Sequence, residues 1–230
     1  MTVVGKILFI TGTDTDVGKT MLSLLVMHAL AGRNAVYLKP VQTGCVDPDN
    51  DSDPAFLHRH LLGGLPGGMT PAACIHTLRP APKAPLLAGD PVDYTGVLDF
   101  VARHAARHDI VVVEGAGGIL VPITPEKTML DLALELDAAI LVAGRAGLGT
   151  INHTLLTLGA IAARDGNCLG AVLLDPAGTT PREARRENAR TIELFSGLPV
   201  HGIVGRLADP SRPAPADLEI LAAALRPFRV

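Results

Sequence analysis

Tryptophan is absent from the 230-residue chain, which carries only 2 tyrosines and 5 phenylalanines. So few aromatic rings argue against the stacking platforms that hold single-stranded nucleic acid. A dominant charge is missing too. The formal net charge is −3, so no bulk pull toward a polyanion exists and no nucleic-acid partner is expected. Cysteine is scarce: Cys45, Cys74 and Cys168 are odd in number, scattered, and form no C-x-x-C pair. Neither a disulfide framework nor a zinc site is expected, and a reducing cytoplasm suits the chain. No run approaches ~18 consecutive apolar residues, so no membrane span is expected. The apolar run within residues 1–10 carries one Lys and leads straight into a Gly-rich loop. It reads as a strand and not as a signal peptide.

What is present is a large apolar fraction, 48% against 19% charged. That composition builds a sizeable core, and residues 1–230 read as a single domain. Short apolar runs recur at 7–10, 35–38, 110–113, 138–142, 171–174 and 200–204. Each is strand length and apolar on successive residues, as in strands buried on both faces. Segments of helical character lie between or after them at 19–31, 94–107, 130–136, 150–164, 182–195 and 216–225. The alternation implies an α/β fold, a mostly parallel sheet flanked by helices on both faces. Two stretches break the rhythm: an acidic one at 47–53 and a long Pro/Gly-rich insertion at 65–91, read as structureless. Such an insertion is either functional or a passive surface loop.

Residues 12–20 read Gly-Thr-Asp-Thr-Asp-Val-Gly-Lys-Thr, after one strand and at the opening of a helix. That context suits a phosphate loop of the P-loop NTPase kind, with five residues between its glycines in place of the usual four. Backbone N–H groups near Gly18 would face phosphate oxygens, Lys19 would add a point charge, and the Thr20 hydroxyl could ligate Mg²⁺. The loop argues for a nucleoside triphosphate but not for a reaction type.

Three further features narrow the chemistry. Lys39 ends the second strand, before Pro40, where a ligand of a parallel sheet is met. A second cation there would stabilise charge developing in phosphoryl transfer; alone, it is equally a solvated strand-end lysine. Glu114 follows four apolar residues and precedes Gly115, Ala116, Gly117 and Gly118, a place for a Mg²⁺-binding carboxylate or for a plain Gly-rich turn. The Gly-rich turn ahead of Thr150 offers a second anion site at a helix start, or simple capping. It points to a carboxylate substrate. Asp53, in the acidic stretch, is a third metal-ligand candidate, and on its own a solvated loop residue.

Taken in order, the loop at 12–20, Lys-Pro-Val-Gln-Thr-Gly at 39–44, Glu-Gly-Ala-Gly-Gly at 114–118 and Gly-Thr-Ile-Asn-His at 149–153 resemble dethiobiotin synthetase. The resemblance runs from the first strand to the fifth. It implies a homodimeric ligase with composite active sites, joining CO₂ (or bicarbonate) to 7,8-diaminopelargonate at the cost of ATP, with Mg²⁺. By that resemblance Lys39 and Lys19 are catalytic, and Thr20, Asp53 and Glu114 hold the metal. Asp16, Val17, Gly18, Lys19, Thr20, Met21, Glu114, Gly115, Ala116 and Gly117 face the nucleotide, with Asp175, Val204, Gly205 and Arg206 toward its base. Thr13, Lys39 and Thr43 face the diamine, while Gly149, Thr150, Ile151 and Asn152 take its carboxylate across the dimer.

The chain departs from the resemblance at two points. Adenine-selective members resemble an Asn-Asp pair after the fifth strand, and here it is Leu174-Asp175. Leucine makes no hydrogen bond, so relaxed base selectivity is expected, with other nucleoside triphosphates accepted beside ATP. Where the family often has Ser-Pro-His, residues 84–86 are Ala-Pro-Leu. Other readings fit less well. A partition-type ATPase would carry a second Lys early in the loop, where Asp14 stands. A cobyrinate-type amidoligase would need length for a glutaminase domain. A metallochaperone GTPase would show a His- or Cys-rich tract.

Overall fold

The computed structural model describes residues 6–228. Residues 1–5, the start of the strand expected within 1–10, lie outside the described residues. The main sheet has six strands: β1 (Lys6–Gly12), β2 (Ala35–Leu38), β5 (Ile110–Gly118), β6 (Ala139–Arg145), β7 (Cys168–Leu174) and β8 (Val200–Val204). They lie in the order β2-β5-β1-β6-β7-β8, and every pairing between them is parallel. A separate parallel pair joins β3 (Val41–Thr43) to β4 (Thr77–Arg79). The helices are α1 (Lys19–Ala29), α2 (Asp53–His60), α3 (Tyr94–Ala105), α4 (Met129–Glu135), α5 (Thr150–Ala162), α6 (Arg182–Ser196) and α7 (Pro215–Ala224).

Strand pleating divides the apolar residues between two cores. Ile7, Phe9, Val111, Val113, Ile140 and Val142 point to one face, with Val97, Val101, Leu132, Leu158 and Ile192 from α3–α6. Leu8, Ile10, Tyr37, Val112, Leu141 and Val172 point to the other, with Leu22, Leu25, Leu57 and Leu221 from α1, α2 and α7. This is the helix-sheet-helix sandwich that continuous apolar strands require. Chain direction around β1 places the site. From β1 the chain moves outward to β2, returns to β5, and then crosses to β6–β8 on the other side. The carboxyl ends around β1 thus form a switch point, where open sheets bind ligands.

The structure differs from the sequence reading at four points. The stretch at 65–91 is not structureless: it carries 3₁₀ turns at Pro66–Gly68, Ala72–Cys74 and Pro85–Leu87, and contributes β4. Helix α2 was not foreseen in the region of the acidic stretch. Ser52 caps it by accepting from the Ala55 N–H, and Pro54 sits in its first turn. Strand β5 runs past the apolar run at 110–113, through Glu114 to Gly118. Several helices also stop short of their apolar pattern, α1 at Ala29 and α5 at Ala162. Periodicity alone does not mark a helix end.

The paired edge of β7 tests the fold. Gly170 has φ +109°, and a β-carbon there would lie 2.2 Å from the Pro199 carbonyl oxygen. Ladder register shifts beside it, between Ile140 and Leu141 and between Ala171 and Val172. Gly170→Ala is expected to lower unfolding free energy by about 2 kcal/mol or more. Urea denaturation reads this, and a change within about 0.5 kcal/mol would mean the bulge relaxes freely.

Candidate nucleotide and substrate site

The loop after β1 closes on α1 through Gly18, whose φ of +101° no branched side chain adopts comfortably. Lys19 and Thr20 are thereby the first helical residues, aimed back over the strand ends. The Lys19 ammonium donates to the Asp14 carbonyl at 2.9 Å. Burial lowers its pKa, with the Lys39 charge adding to the effect and nearby carboxylates opposing it.

Lys39 follows β2 directly and is only 3% exposed. Its ammonium lies 2.7 Å from Asp53 Oδ2 and 2.9 Å from Glu114 Oε1, and donates to the Gly115 carbonyl at 2.9 Å. All three of its protons are engaged. Burial works against the charged form, but Asp53 and Glu114 outweigh it and hold the pKa above the usual lysine value. The same cation works on Asp53: burial raises its pKa, the Lys39 charge and hydrogen bond lower it, and the net shift is downward.

Glu114 is the hub of this cluster. It is 1% exposed, in the middle of β5. Oε1 receives Lys39 and lies 3.0 Å from the Thr20 hydroxyl, while Oε2 accepts from Ser23 at 2.7 Å and Tyr37 at 2.9 Å. Thr20 Oγ1 also lies 3.1 Å from Asp53 Oδ1, so its single proton serves one carboxylate at a time. Tyr37, buried and bonded to a carboxylate, has its pKa raised well above the ordinary value.

Asp53 reaches this cluster because α2 starts there. Gln42 Oε1, on β3, accepts from the Asp53 N–H at 3.1 Å and fixes that helix start. Asp51 orders the preceding turn by accepting from the Cys45 thiol at 2.7 Å and the Val46 and Asp47 N–H groups at 3.1 Å. Burial and that carboxylate push the Cys45 thiol up to about 12, so it stays protonated.

Lys19, Thr20, Lys39, Gln42, Asp51, Asp53 and Glu114 line one cleft of about 450 Å³, together with Thr15, Asp16, Gly18, Thr43, Gly44, Ala116 and Gly117. Of the residues named from sequence, Asp16, Gly18, Lys19, Thr20, Lys39, Thr43, Asp53, Glu114, Ala116 and Gly117 therefore meet in this cleft, and the rest do not. Val17 is 1% exposed and packs into the core. Thr13 lines a neighbouring, mostly apolar hollow with Leu120, Val121 and Leu156. Met21, Gly205 and Arg206 border a smaller slot of about 180 Å³ beside Gly18, with Leu174, Pro176 and Leu207. Val204 is buried, and the Asp175 carboxylate turns to the Thr180 N–H (3.2 Å) and Arg185 (3.6 Å) instead of the slot. Gly149, Thr150, Ile151 and Asn152 line none of these spaces, and Thr150 is buried with its hydroxyl 3.2 Å from that of Thr154.

Sequence reasoning missed Ser23, Tyr37 and Gln42. Ser23 stands one helical turn after Thr20, so it carried a faint signal. Tyr37 and Gln42 carried none without the strand order.

The donor set suits a hard divalent cation. Two carboxylates and one hydroxyl, all oxygen, converge within hydrogen-bond reach of one another, and a lysine ammonium already bridges the carboxylates. Among the described residues no group of three or more His, Cys, Asp or Glu could hold a metal unaided. Mg²⁺ is commonly held this way, by one or two carboxylates with phosphate oxygens and water supplying the rest.

A family model described as an AAA domain matches residues 6–214. Among solved structures, the MinD cell division protein of Aquifex aeolicus superposes with a TM-score of 0.59 at 15% identity, covering 98% of each chain. A ParA family ATPase from Chlorobium tepidum superposes at 0.55 and 13% identity, covering 95% of this chain and 91% of that one. At such identities these likenesses show the fold alone: a P-loop NTPase sheet with its helices. Sequence relatives are much nearer. The ATP-dependent dethiobiotin synthetase of Rhodococcus jostii (strain RHA1) is 38% identical over 222 residues, 92% of this chain and 93% of the relative. That of Anaeromyxobacter sp. (strain Fw109-5) is 46% identical over 196 residues, 83% of this chain and 85% of the relative. With that identity over most of both lengths, this chain belongs to the ATP-dependent dethiobiotin synthetase family.

Proposed function

We propose that the protein is an ATP-dependent cyclo-ligase of biotin biosynthesis, converting 7,8-diaminopelargonate and CO₂ to dethiobiotin with release of ADP and phosphate. One observation carries the residue assignment: Lys39 and Lys19 are buried in the wall of a single cleft, one pinned by Asp53 and Glu114 and the other folded over the phosphate loop. A substrate amine adds to CO₂ and loses a proton, giving a carbamate. A carbamate oxygen attacks the γ-phosphorus and ADP departs. The second amine attacks the resulting carbamic–phosphoric anhydride at its carbonyl carbon, phosphate leaves, and the ureido ring closes.

A carbamate is already a nucleophile, so this sequence asks for alignment and charge screening more than for a strong base. Lys19 binds the phosphates. Lys39 exchanges one of its present partners for the reacting oxygens, and Thr43 on β3 faces the diamine. Mg²⁺, held by Thr20, Asp53 and Glu114, would screen the charge of the triphosphate.

The placement of Gly149, Thr150, Ile151 and Asn152 away from the cleft supports their use by a second subunit. So do the exposed Leu120, Leu148 and Leu156, near or on α5. The working enzyme is accordingly a homodimer with composite sites. A cytoplasmic setting suits a protein in which no described helix is long and apolar enough to cross a membrane.

Phosphate release in the presence of Mg-ATP, bicarbonate and the diamine tests the activity, with each omitted in turn. Every omission is expected to reduce release to background. Release that continues undiminished without the diamine would sink the reading.

A further inference from the structure

The two oxygens of Glu114 face different surroundings. Oε1 is turned to the cleft, where the Lys39 ammonium and the Thr20 hydroxyl lie 2.9 Å and 3.0 Å away. Oε2 is turned inward, to the core beneath α1, and accepts from Ser23 at 2.7 Å and from Tyr37 at 2.9 Å. Ser23 and Tyr37 are wholly buried and line no part of the cleft. A carboxylate oxygen has two lone-pair positions, so these two hydroxyls saturate Oε2.

The two sets of donors also differ in what they can release. Thr20 has Asp53 as a second acceptor at 3.1 Å, and Lys39 has both Asp53 and the Gly115 carbonyl. Among the described residues the Ser23 and Tyr37 hydroxyls bond to Glu114 alone. The Oε1 side can therefore exchange partners, and the Oε2 side is fixed. A cation entering from the cleft meets one oxygen of this carboxylate. That bears on which cation is held. Ca²⁺ takes about six to eight oxygens in flexible geometry and accepts both oxygens of one carboxylate. Mg²⁺ is smaller and demands a near-octahedral shell, whose right angles the narrow bite of a two-oxygen carboxylate does not fit.

We infer that Ser23 and Tyr37 are positioning residues for the metal: by holding Oε2 in the core they confine Glu114 to coordination through Oε1, and so favour Mg²⁺ over Ca²⁺. This rests on the proposed metal set of Thr20, Asp53 and Glu114. Metal binding without turnover tests it. Mn²⁺ is bound to the protein with ADP, its free fraction is read by electron paramagnetic resonance against a protein-free ADP blank, and Mg²⁺ or Ca²⁺ then displaces it. In the Ser23→Ala/Tyr37→Phe double variant the Mg²⁺-to-Ca²⁺ affinity ratio is expected to move toward Ca²⁺ by about tenfold or more. Each single variant leaves one hydroxyl on Oε2 and is expected to move the ratio less, in the same direction. The single variants supply the reading if the double variant does not fold. A general loosening of the site weakens both cations alike, so a ratio within about threefold of wild type overturns the inference and leaves the metal set standing. Wild-type protein that binds no more Mn²⁺ than the blank, or a Glu114→Gln variant that binds it as tightly as wild type, overturns the metal set itself.

Discussion

Lys39→Gln is expected to lower kcat by at least about a thousandfold while nucleotide affinity changes by less than about tenfold. Glutamine retains much of the length and two N–H donors, so partial contact with Asp53 and Glu114 survives. What disappears is the positive charge that, in the proposed mechanism, offsets the repulsion between carbamate and γ-phosphate. The nucleotide keeps Lys19 and the loop, which is why binding is spared. The fold is retained but weakened: two carboxylates that shared a cation, one of them 1% exposed, lose it. Breaking a buried pair in this way costs about 3–5 kcal/mol, and the amide recovers part of that. Single-turnover phosphate release, calorimetric titration and urea unfolding read the three effects separately. Near-normal turnover would remove Lys39 from the chemistry.

Glu114→Gln also has a large expected effect on stability. Four donors, from Lys39, Thr20, Ser23 and Tyr37, face one carboxylate. An amide presents one accepting end and one donating end. The Ser23 and Tyr37 hydroxyls can rotate to accept, but the Lys39 ammonium cannot, so the amide oxygen must stay toward Lys39. Charge-assisted bonds become neutral ones and a buried lysine loses one of two counter-charges. A loss of about 2–4 kcal/mol in unfolding free energy is expected, with turnover reduced at least about a hundredfold. A variant as stable as wild type in urea would mean the four donors are satisfied without the negative charge.

The contrast between these residues and their neighbours shows what a sequence makes legible. The phosphate loop could be read because its parts are contiguous and sit between an apolar run and a helix. The six main strands were visible because burial on both faces leaves continuous apolar runs. Lys39 and Glu114 stood beside those runs, so their meeting followed from any parallel sheet that pairs the two strands. Asp53 was different. It reaches the cluster only because Ser52 and Pro54 start a helix there and Gln42 holds its N–H. Nothing in the acidic composition signalled that. Tyr37 is one position before the end of β2 and points to the α1 face, which is known only once the pleat is set. The pairing of β3 with β4 was unreadable because each strand has three residues, too few for an alternation to register. The Leu65–Pro91 insertion misled for the same reason: Pro and Gly punctuate 3₁₀ turns as well as loops.

That small β3–β4 ladder has a kinetic side. Its strands meet Val41 to Thr77, Gln42 to Leu78 and Thr43 to Arg79, across a long intervening stretch of chain. Loop-closure entropy is spent on only three paired positions, with no sheet on either side to propagate from. The pair is therefore expected to open before the main sheet, as a unit of low local stability. Gln42 and Thr43 ride on it, and through Gln42 so does the start of the helix carrying Asp53. The phosphate loop is anchored to the main sheet, whereas the wall proposed to face the diamine hangs on a ladder of three paired positions. Ordering that wall is expected to draw on the binding energy of whatever fills the cleft.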